Sequence, residues 1–522
     1  MIFQHRVAFI FSTIKVTSCI VFICTFTSIY MGLFVAISIF GLGLFALAKL
    51  ASTLNVNLFL LLSGWIFKLV CSIIFVWIFS FSGFDGSSIQ GDAYNFFFDS
   101  GILADYAQKD FWGYFQLLFG FHTNETELMS THLATTNIWS YGNNGDFIND
   151  NRLIIRINSV IHFFSFGNFY VHVIIFSGLA YAGILMIYKT FESYVSNKKL
   201  FFASLILFPS IAFWGSGLTK ETLTIFGLGL FFFSLNKILF DKKSILTFIV
   251  LIVACFILLF NKPYVGIVLI PSLLFLFVAK KINWKPVLIP IWIVVIIIGS
   301  IVLSYLPEKI NLVDKLSFRQ RDMINLGKGG LFFVTDSSFC AFDYRYFNHF
   351  DTLATSKIKV VKETSGDYKL FGPNPFHPFN IYPSEKLFER YLVQEPSQTY
   401  IDITPINNSG IQLVKNIPES IVNTTVRPFP GEVNNFYGYF IFVVNCSLLI
   451  FIACSIYLRK KLSNIEKNWF FLLMSSALIL ILIIGWTSPV IGAIIRYKVP
   501  AEILILVALH ILIKPLQKKN SL

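Results

Sequence analysis

The segment Gly91-Asp-Ala-Tyr-Asn-Phe-Phe-Phe-Asp-Ser-Gly101 carries two aspartates seven residues apart, Asp92 and Asp99. On a helix that spacing puts both carboxylates on one face. A carboxylate near a membrane surface can act as general base for a sugar hydroxyl. A pair of them can hold a divalent cation. Five aspartates fall between positions 85 and 110, so a solvated loop acid is the plain alternative for each. Asp92 is singled out by its Gly-Asp-Ala-Tyr setting.

Three further segments carry cations beside helix-breaking residues. In Phe208-Pro-Ser-Ile-Ala-Phe-Trp-Gly-Ser-Gly-Leu-Thr-Lys-Glu221, Pro209, Gly215 and Gly217 break a hairpin, and Ser216 or Thr219 can cap the helix that follows. A helix N-terminus offers free N–H groups and partial positive charge, which suits phosphate, and Lys220 adds a full charge. The alternative is an ordinary capped hairpin with Lys220 paired to an acid or reaching the headgroups. In Val426-Arg-Pro-Phe-Pro-Gly-Glu432, two prolines stiffen the chain around Arg427, which is either a phosphate ligand or part of a rigid juxtamembrane turn. In Ile495-Arg-Tyr-Lys-Val-Pro500, Pro500 can kink a helix beside Arg496 and Tyr497. A guanidinium suits bidentate binding of carboxylate or phosphate. The alternative for Arg496 is an ion pair with Glu221 or Glu502 that orders the bundle.

These residues sit in a chain that must be a membrane protein. Of 522 residues, 56% are hydrophobic and 13% charged, and 60 are Phe. Mean hydropathy is +0.71. Soluble domains run near 45–50% apolar and about 25% charged. A soluble enzyme, a disordered chain and a nucleic-acid-binding domain are excluded, despite a net charge of +13. A transmembrane β-barrel is excluded too, because the apolar runs are continuous and do not alternate. The expected fold is an all-α polytopic membrane protein of about 12 transmembrane helices with two long extracytoplasmic loops. The spans fall near 8–28, 31–49, 57–81, 166–188, 199–213, 220–240, 245–261, 264–280, 286–305, 438–458, 468–486 and 489–513.

With both termini inside, Lys49, Lys189, Lys198, Lys237, Lys280, Lys281, Arg459 and Lys514 fall in cytoplasmic loops or span ends, as the positive-inside rule requires. The chain then divides into N-terminal helices (1–81), a first extracytoplasmic loop with amphipathic segments (82–165), central helices (166–305), a large extracytoplasmic loop (306–437) and C-terminal helices (438–522). The first loop is acidic, with Asp85, Glu125, Asp146 and Asp150 among its carboxylates, and Phe111–Phe121 can lie flat on the membrane. In the large loop, Tyr344, Tyr346, Phe371, Phe376, Phe379 and Tyr382 suit sugar stacking or a small core. Ionisable residues in or beside the spans are functional candidates: Lys68, Lys220, Glu221, Lys262, Arg496, Lys498 and Glu502. The eight histidines show no tight metal spacing and read as structural or interfacial. The seven cysteines form no CxxC pair.

Gly-Asp92-Ala-Tyr94 after an early span, together with the cations, resembles GT-C-type polytopic membrane glycosyltransferases. More weakly, the Pro209–Glu221, Arg427–Pro430 and Arg496–Pro500 segments look like those of O-antigen polymerase-like envelope polysaccharide proteins. The resemblance implies a membrane glycosyltransferase. It would move a sugar from a polyprenyl-phosphate donor to a glycan or lipid acceptor at the outer face of a bacterial inner membrane. Asp92 would be the base and Asp99 would assist it or bind metal. Lys220, Glu221, Arg427, Arg496 and Tyr497 would line the substrate site. The partners implied are the polyprenyl-phosphate-linked sugar, its acceptor and membrane lipids, with no nucleic acid. No cofactor is indicated other than a divalent cation at the aspartates. The alternatives are a repeat-unit polymerase and a transporter or flippase of lipid-linked sugars, for which Lys68 would be the mid-membrane charge.

Overall fold

The computed structural model describes residues 31–49, 51, 56–81, 91–121, 126–139, 151–241, 244–285, 311–334, 338–353, 357–370, 377–389, 391–432 and 436–514. The expected spans 8–28 and 286–305 lie outside the described residues, as do Asp85, Glu125, Asp146, Asp150, Phe371 and Phe376. Among the described residues, seven helices are long and apolar enough to cross a membrane. They are Met31–Lys49, Leu58–Phe79, Phe169–Phe191, Lys220–Phe240, Pro263–Lys281, Gly438–Tyr457 and Asn464–Thr487. At 1.5 Å per residue, about twenty residues cover the ~30 Å apolar layer. The chain is a multi-pass, mainly helical membrane protein.

The helices run in chain order as α1 (Met31–Lys49), α2 (Leu58–Val76), α3 (Asp92–Lys109), α4 (Phe111–Leu118), α5 (Thr126–Ser130), α6 (Arg152–Ser165), α7 (Phe169–Phe191), α8 (Lys198–Leu207), α9 (Pro209–Trp214) and α10 (Lys220–Phe240). They continue as α11 (Ile245–Asn261), α12 (Pro263–Leu269), α13 (Pro271–Lys281), α14 (Leu312–Lys328), α15 (Gly410–Lys415), α16 (Ile417–Thr425), α17 (Phe436–Tyr457), α18 (Asn464–Thr487), α19 (Ile491–Tyr497) and α20 (Val499–Leu512).

Three expected spans are interrupted, 264–280 only at Ile270 between α12 and α13. Pro209 follows Phe208, whose ψ of 121° leaves the helical region, so 199–213 is divided into α8 and α9. A proline restricts the residue before it away from helical geometry. The span 489–513 divides at Lys498, two residues before Pro500, into α19 and α20. Apolar content alone had joined these pieces.

The large loop departs from an all-α chain. Between α14 and α15 its described residues form eight strands: β1 (Gly330–Val334), β2 (Ser338–Asp343), β3 (Phe350–Leu353), β4 (Lys357–Val360), β5 (Thr364–Leu370), β6 (His377–Ile381), β7 (Ser384–Glu389) and β8 (Tyr391–Gln394). One sheet has the order β6-β5-β2-β1-β8 and the other β3-β4-β7. Pairing is antiparallel, with Leu331 opposite Phe342 and Phe333 opposite Cys340. Alternate residues therefore point to one side, where Leu331, Phe333, Cys340, Phe342, Phe350, Ile358 and Val360 form a buried core. Pro378, which cannot donate to a ladder, sits on edge strand β6.

The chain forms two compact units. The first comprises Met1–Tyr141, Asp150–Gly183 and Ala212–Phe226, and the second comprises the remainder. In the first, α3 packs on α6 and α4. Asp110 caps α4 by accepting from Gly113 N at 2.9 Å. Tyr114 and Leu117 of α4 are buried, while Phe111, Trp112, Phe115 and Phe119 are exposed, the amphipathic pattern expected of this segment. In the second unit, α18 packs against α20, α16 and α14. A Cβ at Gly485 would strike the Ser420 backbone, so glycine lets α18 and α16 approach closely there. Thr424 Oγ1 donates to Ile481 O at 3.1 Å across the same contact.

Candidate functional site

Asp92 opens α3 and is exposed, at the helix end where a negative charge is favoured. Asp99, two turns on, is fully buried. The shared face exists, but the 131–139 segment covers one end of it. Asp99 Oδ1 accepts from Asn137 N at 2.7 Å, and Oδ2 accepts from Ile138 N and Trp139 N, both at 2.8 Å. Burial raises its carboxyl above the ordinary range, although the three N–H donors oppose that. Asp99 therefore anchors a loop. Among the described residues, no group of three or more His, Cys, Asp or Glu could hold a metal ion.

Trp139, held by Asp99, carries two guanidiniums over its ring. The Cζ atoms of Arg152 and Arg156 lie 5.0 and 5.3 Å from its centroid. Arg156 Nε donates to Leu117 O at 2.8 Å. Burial, and then the charge of Arg152, lowers Arg156 to about 10. His162 Nε2 lies 3.0 Å from Ser100 Oγ, and burial lowers its pKa. It packs its ring on Phe97, as expected of a structural histidine.

The hairpin before α10 is built as its sequence suggests. Thr219 Oγ1 accepts from Thr222 N at 3.4 Å and caps the helix, whereas Ser216 turns back to donate to Ala212 O. A Cβ at Gly217 would run into the Phe75 ring. Lys68 Nζ donates to Gly215 O at 2.9 Å, and Ser72 Oγ donates to Ser216 O, fastening the hairpin to α2. Glu221 is fully buried and Lys220 is half-buried. Lys68, the candidate transport charge, thus bonds a hairpin carbonyl.

The second unit holds the densest polar group, at the break between α19 and α20. Lys498 and Glu502 are 3% and 1% exposed and pair at 3.3 Å. Glu502 also accepts from Ser210 Oγ. Lys498 Nζ donates to Asn445 Oδ1 and, at 3.4 Å, to Thr424 O. Asn445 Nδ2 in turn donates to Arg427 O at 2.6 Å. This chain of bonds brings Arg427, just past the end of α16, to the break. The Arg427 side chain, a quarter exposed, pairs with Glu432 at 3.2 Å. On the other side of the break, Tyr264 Oη donates to Tyr497 O at 3.2 Å. Buried Lys262 places its Nζ 5.1 Å from the Tyr497 ring centroid. Arg496, half-buried, precedes Tyr497 in the last turn of α19.

Arg427, Arg496 and Tyr497 are therefore gathered around one helix break, with Lys262 and Lys498 beside them. Asp92, Asp99, Lys220 and Glu221 belong to the first unit. Glu502 pairs with Lys498, so one of the two acids expected to accompany Arg496 has another cation. Asn445 and Ser210 were missed by sequence reasoning. An asparagine inside an apolar span is the signal that marks Asn445. Chemically, the break presents four cations, Lys262, Arg427, Arg496 and Lys498, with Glu432 and Glu502 as the paired carboxylates. No family profile, curated protein or solved structure matches this chain.

Proposed function

We propose that the chain is a membrane glycosyltransferase. It would use a polyprenyl-phosphate-linked sugar at the outer face of a bacterial inner membrane, with an envelope glycan or lipid as acceptor. The observation that carries this reading is the cation group at the α19–α20 break of an apolar bundle. Charges in such surroundings are costly and mark sites of function. Guanidiniums suit a phosphate geometrically. The acceptor oxygen would attack the anomeric carbon and the bond to the phosphate would break. Arg427 and Arg496 would neutralise the departing phosphate, the part of the barrier that fixed charges lower. A base must take the acceptor's proton, and Asp92, exposed at the head of α3, is the proposed one.

One observation favours a second reading, a repeat-unit polymerase. The cations gather at a break whose carboxylates Glu432 and Glu502 are already paired. Both readings predict a glycan defect, and Asp92 separates them. The test is mass spectrometry of envelope glycans and lipid-linked sugars in a deletion strain carrying wild type, Asp92→Asn or Arg496→Ala. Loss of one sugar that Asp92→Asn fails to restore, at normal protein level, supports the transferase. Unpolymerised repeat units that only Arg496→Ala fails to clear support the polymerase. An unchanged glycan profile in a deletion strain without a redundant homologue removes both.

A further inference from the structure

The aromatic residues of the large loop divide sharply once folded. Tyr346, Tyr368 and Phe379 pack against the β core. Tyr344 and Phe347 do not. They lie on the 3-10 turn Tyr344–His349, where residues three apart eclipse, and their rings stack at 5.9 Å with an 18° interplanar angle. Each remains 38% exposed.

Polar groups that suit hydroxyls neighbour this pair in the chain. Arg345 forms a fork on Asp343, with Nε to Oδ1 at 3.0 Å and Nη2 to Oδ2 at 2.8 Å, while its side chain stays 76% exposed. The phenol of Tyr400 is pushed up by burial and then by the carboxylates of Asp402 and Asp343. Carboxylates accept hydrogen bonds and a guanidinium donates them, which matches a polyol's alternating hydroxyls. A flat aromatic pair matches the C–H face of a pyranose ring.

The 399–401 segment is fastened to the residues that lead into α19. Ile491 N donates to Thr399 O at 2.9 Å, Ile401 N donates to Pro489 O at 2.7 Å, and Tyr400 bridges Val490. Val490 is the N-cap of α19, whose last turn holds Arg496. Six residues of helix rise about 9 Å. Backbone hydrogen bonds thus tie the segment that leads into Asp402 to the short helix that carries the cation.

We propose that Tyr344, Phe347, Asp343, Arg345 and Asp402 form a saccharide-binding platform that presents the acceptor glycan to the Arg496 helix. As an acceptor site, the platform rests on the glycosyl-transfer reading. As a saccharide-binding surface, it stands on its own geometry.

The test uses the full chain in lipid nanodiscs and a fluorescently end-labelled oligosaccharide released from the producing strain's own envelope polysaccharide. Binding is measured for wild type, Tyr344→Ala/Phe347→Ala and Tyr344→Phe, each checked for an unchanged unfolding temperature. The double variant is expected to lose at least tenfold in affinity, and Tyr344→Phe to stay within about twofold. In a transfer assay, the double variant should raise the acceptor KM and leave kcat unchanged. Wild type that does not bind the oligosaccharide, or a double variant that binds like wild type, overturns the platform. If wild type binds and the double variant does not, yet deletion leaves the envelope glycans normal, the platform stands as a saccharide-binding surface and the transferase reading fails.

Discussion

The α3–α6 region and the α18–α20 region both bury charge, and they use it differently. In the first, Asp99 is enclosed by three backbone N–H groups, and Arg152 and Arg156 rest on the ring of Trp139. Its charges hold a loop against a helix. In the second, Lys498 is enclosed by Glu502, Asn445 and a carbonyl, but Arg427 and Arg496 flank it with part of their surface open. There the fully buried pair builds a floor, and the half-buried arginines stand on it. Burial alone therefore does not mark a functional charge. The residues to examine are the partly open charges that a buried network positions.

The largest expected effect tests the floor. Lys498→Met leaves Glu502 buried without its cation, a change that costs about 3–5 kcal/mol. Thermal unfolding in nanodiscs should show it, and Lys498→Met/Glu502→Gln should recover most of the loss. An unchanged unfolding temperature in the single variant would remove the floor from the account.

Next comes catalysis. Arg496→Ala should lower kcat/KM by about 10²–10³, the scale for losing one preorganised stabilising group. Arg496→Lys should keep only part of the activity, because an ammonium lacks the planar fork. Arg156→Lys, in the region where charge is structural, should leave the rate unchanged. A rate loss at Arg156 matching that at Arg496 would erase the distinction between the regions.

Asp99→Ala should then loosen its loop by roughly 1–3 kcal/mol for each N–H left buried without an acceptor. Hydrogen exchange should accelerate over 131–139 and leave α18–α20 unaffected. An acceleration spread through both regions would contradict a local anchor.

The smallest effect is a contrast in pH dependence. Burial holds the Asp99 carboxyl above its ordinary 3.8, so the fold takes up that proton before the unfolded chain does. Lowering the pH toward 3.8 therefore favours the fold at Asp99. Asp343 behaves oppositely: burial raises it, but hydrogen bonds from Arg345 outweigh burial and hold it below 3.8. Its contribution is present above pH 3.8 and is lost as the pH falls through the lower folded value. Hydrogen exchange corrected for intrinsic rates should show the β2–β3 turn weakening in acid while the 131–139 loop does not.

The long apolar helices were legible in the sequence because their signal is local. The expected spans 220–240 and 245–261 match α10 and α11. The spans broken near Pro209 and Pro500 were misread because hydropathy averages over both prolines, although both residues were visible. The β segment was missed for another reason: strands of four to seven residues give little periodicity, and their core pairs residues such as Phe333 and Phe388 far apart in sequence. The site was legible as a set of residue types and not as a place. Nothing local shows that Asp99 is buried while Asp92 is exposed, because the 131–139 loop makes the difference. Arg427 reaches Lys498 through Asn445, across bonds joining α16, α17 and the α19–α20 break.

The central claim is that the break between α19 and α20 holds the phosphate of a lipid-linked sugar. Purified protein equilibrated with polyprenyl phosphate and examined by native mass spectrometry tests it most directly. Arg427→Ala/Arg496→Ala removes both guanidiniums; it breaks the Arg427–Glu432 pair but leaves the Arg427 carbonyl bonded to Asn445. Wild type and Asp92→Asn should retain the lipid, and the double arginine variant should lose it. Equal retention by the double variant would contradict the claim.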